Sequence, residues 1–152
     1  MRLRPILADD AEALASLHLA CFGPAAWPAD EIADLLTGPG GFGLAVDAEG
    51  LSGFILCRAI AGEAEVLTLA VAPARQRRGH GRALLEAAAA LSGALGARAL
   101  FLEVAADNPP AVALYESAAF EPAGRRRAYY AKGRASPVDA LVYRRALNSG
   151  PG

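Results

Sequence analysis

At Gly79 the chain changes its period. Upstream, "FGLAVDAEGLSGFILCRAIAGEAEVLTLAVA" holds three apolar runs separated by "DAEG" and "AGEA", the pattern of an antiparallel meander. Downstream, Leu84, Ala88, Leu91 and Leu95 recur at helical spacing between Gly79 and Gly96. "RALFLEVA" then runs almost without a polar break, as expected of a central strand covered on both faces. Such a succession predicts an α/β chain built on a mixed sheet with helices on both faces.

The flanking segments extend that order. "RLRPI" reads as a first strand, and Asp9 followed by Glu12 resembles a capping box for a helix running to about Cys21. Pro28 suits the first turn of a second helix, "PADEIADLL". "DNPPAVALYESAA" reads as a short helix capped by Asn108, with prolines in its first turn. "FEPAGRRRAYY" and "PVDALVYRRAL" look like a closing pair of strands. The predicted order is β-α-α-β-β-β-α-β-α-β-β, without repeats or linkers. Residues 1–147 form one domain and 148–152, "NSGPG", a disordered tail.

A chain of 152 residues can bury roughly 70% of its unfolded surface. A net charge of -1 provides no basic field, so nucleic acid is not an expected partner. "MRLRPILADD" has no apolar signal core, and Leu84 to Leu95 is too short and too interrupted to span a membrane. Cys21 and Cys57 form no CxxC pair and read as core thiols. His18 and His80 have no partners at metal-ligand spacing, so no metal is expected; His18 reads as a helix-surface residue. A soluble cytoplasmic domain without a membrane partner is the default.

The densest chemistry lies in "ARQRRGHGRALLEA", Ala74 to Ala87. A helix N-terminus presents four unpartnered N–H groups and a partial positive charge. Glycine there lets an anion approach the backbone, and arginines add charge, so Gln76 to Arg82 suits phosphate. His80, inside the turn, is within reach of the same anion. A P-loop string is absent, and a dinucleotide fingerprint would need glycine where Leu84 stands. The alternative is that both glycines serve only close helix packing.

Glu103 lies inside "ALFLEVA", where every neighbour within three residues is apolar. Its alternation partners Ala99 and Phe101 put a helix or a cleft on its side of the strand, where partial desolvation would suit it as a base. The alternative is a strand-end carboxylate reaching solvent or pairing with an arginine. Asn108 and Tyr115 are seven residues apart, two turns along one helix face. Asn108 is equally explained as a cap, and Tyr115 as a ring packed on the sheet.

The motif Q/R-x-x-G-x-G/A, met by Gln76, Gly79 and Gly81 after a strand ending "VAP", resembles the GNAT acyltransferases. Within them, Leu67 to Tyr130 looks like the RimI-type ribosomal-protein alanine N-acetyltransferases, carried by "LTLAVAP", "QRRGHGRALLE", "LFLEV", "DNPPAVALYESAAF" and "RRRAYY". The resemblance implies a GNAT fold, a sheet splayed between two central parallel strands, with a bulge near the end of the first. It implies Glu103 as proton acceptor and Tyr115 as proton donor. It also implies acetyl-CoA as co-substrate, held by the backbone of Leu69, Ala70 and Val71, by Arg77, Arg78, Gly79, His80, Gly81 and Arg82, and by Asn108. "DNPPAVALY" departs from the family in its two prolines, and "AAF" replaces the usual "GF" after the helix.

The acceptor implied is a protein N-terminus, the α-amine of an N-terminal alanine on a small-subunit ribosomal protein. An α-amine has a pKa of about 7.7–8.0, so a modest base suffices, whereas a lysine near 10.4 needs more help. Proton transfer from an ordinary tyrosine to a thiolate of pKa about 8.5 is uphill by roughly 2 kcal/mol, while hydrogen-bond donation is not. Phe22, Trp27 and Pro28 fall where the family's first helices border the acceptor groove, although Trp27 reads equally as a core or helix-packing aromatic. Arg125 to Arg127 with Tyr129 and Tyr130 make a basic-aromatic patch that fits a peptide path, a nucleic-acid contact or a solvated edge. A GNAT acting on a lysine or a small amine, and an acyl-CoA or RNA binding module, are the rival readings.

Overall fold

A computed structural model describes residues 1–131 and 134–148. Seven strands and four α-helices follow the order read from the sequence: β1 (Arg2–Pro5), α1 (Ala11–Phe22), α2 (Ala29–Thr37), β2 (Gly41–Asp47), β3 (Leu51–Ile60), β4 (Glu63–Val71), α3 (His80–Ala94), β5 (Ala99–Ala105), α4 (Pro109–Ser117), β6 (Glu121–Tyr130) and β7 (Val138–Ala146). The expected disordered tail lies, apart from Asn148, outside the described residues. The strands form one sheet in the order β1-β2-β3-β4-β5-β7-β6. Its one parallel pair among the described residues is β4 with β5.

Alternation along the strands divides the core in two. Ile55, Cys57, Leu100, Leu102 and Val104 pack under α3 and α4 against Leu84, Leu85 and Tyr115. Phe54, Leu56 and Ala45 pack under α1 and α2 against Leu14 and Ile32. Strand β5 buries Leu100, Leu102 and Val104 on the α3/α4 side, while Phe101, Glu103 and Ala105 on its other face are only half-buried, so the expected cover on both faces is found on one.

Two positions bend this frame. Opposite β4, Leu56 pairs with Thr68 but Cys57 pairs with Val66, leaving Leu67 as an unpaired bulge. The extra residue reverses the alternation of β4: Ala64 and Val66 face the α3 side, whereas Ala70 joins the α1/α2 side. The parallel pairing stops at Glu65 with Phe101, so β4 and β5 separate just before the bulge.

The second position is the end of α4. The N–H of Ala119 reaches the carbonyl of Glu116 at 3.3 Å, and that of Phe120 reaches the carbonyl of Tyr115 at 3.1 Å. These two bonds make a Schellman motif, which places Ala119 at φ 67°. Its apolar clasp is Tyr115 against Phe120, with ring centroids 6.1 Å apart. Alanine carries a steric penalty at this φ that glycine lacks. Ala119→Gly is expected to raise stability by about 0.5–1 kcal/mol with an unchanged m-value in urea denaturation. Equal or lower stability would show that the unfolded-state entropy of glycine dominates.

The start of α1 differs from the expected capping box. Asp10, rather than Asp9 with Glu12, organises the turn. It accepts from Leu7 N–H at 2.8 Å and pairs with Arg4 at 3.0 Å. Arg4 reaches it from β1 and holds its carboxyl below the usual carboxylate range.

Candidate active site

The loop between β4 and α3 turns through two left-handed residues, Arg77 at φ 64° and Gly79 at φ 85°. Left-handed residues of this kind let successive amides form an anion-binding concavity, and the first turn of α3 adds its unpartnered N–H groups. A Cβ added at Gly79 would meet nothing within 4 Å, so the turn opens to solvent there. At Gly81 a Cβ would lie 3.1 Å from Leu114 Cδ2, so this glycine serves the packing of α3 on α4. Of the two sequence alternatives, conformational freedom belongs to Gly79 and close packing to Gly81.

Arg77, Arg78 and Arg82 are exposed around the turn. Among the described residues none of them is ion-paired, which leaves three cations for an anion. Gln76 anchors the loop, its Nε2 donating to the carbonyl of Val71 at 3.1 Å. The Cys21 thiol donates to that carbonyl at 3.3 Å, so Val71 retains only its N–H for a ligand.

The His80 side chain is not within reach of an anion in the turn, contrary to the sequence expectation. Its imidazole is buried, with Nδ1 3.4 Å from the Ser52 hydroxyl on β3, and so faces away from the turn's mouth. Only its backbone N–H can meet an anion. Asn108 is occupied too: its Oδ1 accepts from Ala111 N–H at 3.3 Å, which is the capping role.

Beyond Glu65 the β5-facing edge of β4, from Val66 through Leu69, Ala70 and Val71, has no strand partner among the described residues. On the α1/α2 side of this split lies a groove of about 630 Å³ lined by Trp27, Glu65, Leu67, Phe101, Glu103, Arg126, Tyr129 and Tyr130 among others. Glu103 lines it, as alternation along β5 dictates. Its Oε1 is 2.9 Å from Nε of Arg126 on β6, so the arginine-pairing alternative is realised inside the groove itself. With 57% of the arginine and 27% of the carboxylate side chain exposed, the pair is open to water and contributes at most about 1 kcal/mol.

Tyr115 stands on the opposite side of β5, packed with Leu102 and Val104. Burial, with a smaller contribution from Tyr130, pushes its phenol up to about 12. Tyr130 is itself raised by burial and then by the charge of Glu103. The two catalytic candidates therefore lie on opposite faces of β5.

The basic-aromatic patch is an edge strand reshaped by a bulge. Arg126 pairs with Ala140 and Tyr130 with Val138, so three residues stand opposite one. Ala128 within that bulge is at φ 51°, and its N–H donates to Asp139 Oδ1 at 2.8 Å. The distortion turns Tyr130 into the groove. Arg125 pairs instead with Asp139 at 3.0 Å.

Sequence reasoning missed His18. It is buried, not on a helix surface. Its Nδ1 accepts from the Trp27 N–H at 3.0 Å, so Nε2 carries the proton and donates to Thr68 Oγ1 at 2.9 Å. Burial lowers its pKa to about 4. The available signal was the isolated imidazole between apolar neighbours in "ASLHLACF".

Cys57 is fully buried, which pushes its thiol up to about 12, and Cys21 is half-buried and likewise raised. Both are free core thiols. Among the described residues no helix is long and apolar enough to cross a membrane.

The topology and its split define a class, the GNAT-fold acyltransferases. Residues 11–120 match the acetyltransferase (GNAT) family, and the chain belongs to that family. A mycothiol acetyltransferase of Clavibacter sepedonicus is 44% identical over 95 residues, 62% of this chain and 31% of that protein. The ribosomal protein bS18-alanine N-acetyltransferase of Escherichia coli strain K12 is 42% identical over 80 residues, 53% of this chain and 54% of that protein. The matched segments span about a third to a half of these relatives. The crystal structure of the ribosomal-protein-S18-alanine N-acetyltransferase from Escherichia coli has a TM-score of 0.88 at 28% identity, covering 99% of this chain and 96% of that one. Arabidopsis thaliana NAA60 bound to a bisubstrate analogue shares the fold, with a TM-score of 0.85 at 22% identity over 98% of this chain and 99% of that one.

Proposed function

We propose that the chain is a cytoplasmic N-terminal protein acetyltransferase, transferring acetyl from acetyl-CoA to the α-amine of an N-terminal alanine of a small-subunit ribosomal protein. The observation that carries this is the carboxylate of Glu103 in an open groove beside the β4/β5 split, with Tyr115 on the opposite face of β5. The whole-chain likeness to the bS18-alanine enzyme supports the acceptor.

The residues present fit the coenzyme. The open turn at Gly79, the free amides of α3 and the exposed Arg77, Arg78 and Arg82 would hold its diphosphate. The unpaired edge of β4 offers backbone partners to its pantetheine arm. When bound, the coenzyme supplies the activated acetyl thioester. The acceptor's neutral amine attacks directly in a ternary complex, and orientation in the groove supplies much of the acceleration. Glu103 takes the amine's proton, directly or through one water.

Tyr115 acts by donation. With its phenol near 12, full transfer to a thiolate of pKa about 8.5 is uphill by about 5 kcal/mol, so it hydrogen-bonds the developing thiolate without ionising.

The likeness to the mycothiol acetyltransferase favours a second reading, a small-molecule amine as acceptor. An acceptor screen separates them: peptides beginning with alanine against small amines and lysine peptides, followed by CoA release. No release with any peptide rejects the N-terminal reading. The coenzyme site has its own test. Gly79→Val puts a branched side chain at φ 85° and is expected to raise the KM for acetyl-CoA at least tenfold, with kcat nearly kept at saturation. An unchanged KM removes the diphosphate from this turn.

A further inference from the structure

The groove has two walls that no strand pairing connects. One is the bulged half of β4, and the other is the loop carrying Trp27 between α1 and α2. Both line the groove, so a shift of one against the other reshapes the acceptor path. A single imidazole spans them. His18 accepts from the main chain at Trp27 and donates to Thr68, the residue next to the bulged Leu67. Its ring also packs on Phe22 and Trp27, with centroids 4.5 and 5.1 Å away.

We propose that His18 is a positioning residue for the acceptor: it clips the Trp27 wall to the bulged strand and so sets the width of the groove. Each bond uses a different nitrogen, so only the neutral tautomer with the proton on Nε2 makes both. No other residue type of similar size offers an acceptor and a donor on opposite edges of one rigid ring. An apolar side chain at this position would leave the Trp27 N–H and the Thr68 hydroxyl without these partners, and the loop would relax.

The inference rests on the groove being the acceptor side, and the experiment separates the two ideas. Steady-state kinetics would use whichever amine the wild-type enzyme acetylates, with the emission of Trp27, the chain's sole tryptophan, as a second readout. His18→Leu is expected to raise the acceptor KM about tenfold, the effect of one orphaned buried donor, with the acetyl-CoA KM within twofold and the Trp27 emission shifted to the red. His18→Asn keeps an oxygen near the Nδ1 position and is expected to restore both the emission and most of the acceptor KM. Should His18→Leu fail to fold, Thr68→Val removes the other end of the clip and is expected to raise the acceptor KM about threefold.

Wild-type acceptor KM and emission in the folded variants would overturn the proposal, as would a proportional rise in both substrates' KM. A Glu103→Gln enzyme of undiminished activity, with the emission shift of His18→Leu still present, would instead sink the groove reading alone.

Discussion

Replacing Glu103 with glutamine is expected to lower kcat about a hundredfold at pH 7 and to leave acetyl-CoA binding within twofold of wild type. The size follows from the chemistry. A positioned general base contributes about 10²–10⁴, and the lower end applies because an α-amine of pKa about 7.7–8.0 is already partly neutral. The same reasoning fixes a pH signature. As pH rises past 8, the amine loses its proton unaided, so the deficit of the variant is expected to narrow.

The Arg126 pair is the competing explanation, since the variant also disrupts an ion pair at 2.9 Å. Arg126→Gln breaks the same pair and keeps the carboxylate. Because the pair is exposed to water, its loss is expected to change kcat by no more than a few-fold. Equal losses in the two variants would assign the effect to groove architecture. Full activity in Glu103→Gln would remove the base assignment altogether.

The split at Glu65 and Phe101 gives this prediction its geometry, and the sequence reported it unevenly. The change of period at Gly79 was strong enough to order every strand and helix, because glycine and acidic residues mark the meander's turns and α3 repeats its apolar residues at helical spacing. The bulge at Leu67 leaves no mark in "VLTLAV", since its residues are apolar or small on either side of the reversal. The departure "AAF" did carry structural information: a position where glycine is usual proved to be the left-handed end of α4, which holds Tyr115 against Phe120. Glu103 stood out as a lone charge in an apolar strand, but its partner came from β6, a contact set by sheet order. His18 and His80 were misplaced for one reason. A single imidazole in an amphipathic helix can face either way, and only the packing of α1 on β4 and of α3 on β3 turned both inward.

The inward histidine has a measurable consequence for stability. An unfolded chain protonates His18 at its ordinary pKa of 6.5, while the folded chain resists until about pH 4. Between those values the unfolded state holds more protons, so stability is fully present above pH 6.5 and falls as the pH drops through the window. A shift of this size corresponds to about 3 kcal/mol, a large part of the 5–15 kcal/mol typical of a domain. The groups packed on the ring from α1, the Trp27 loop, β3 and β4 are Phe22, Trp27, Phe54 and Thr68, all uncharged, so nothing among them stabilises an imidazolium. The depressed carboxyls of Asp10 and Glu86 act in the same direction but at lower pH, since their contributions are lost only below the ordinary carboxylate range. Urea denaturation of wild type and His18→Asn at pH 7, 6 and 5 isolates the difference. Wild type is expected to lose about 2 kcal/mol more than the variant over that span, since most of the window lies within it. Parallel losses in the two proteins would mean that water reaches His18 in solution, and that the imidazole does not hold the wall of the groove as a neutral clip.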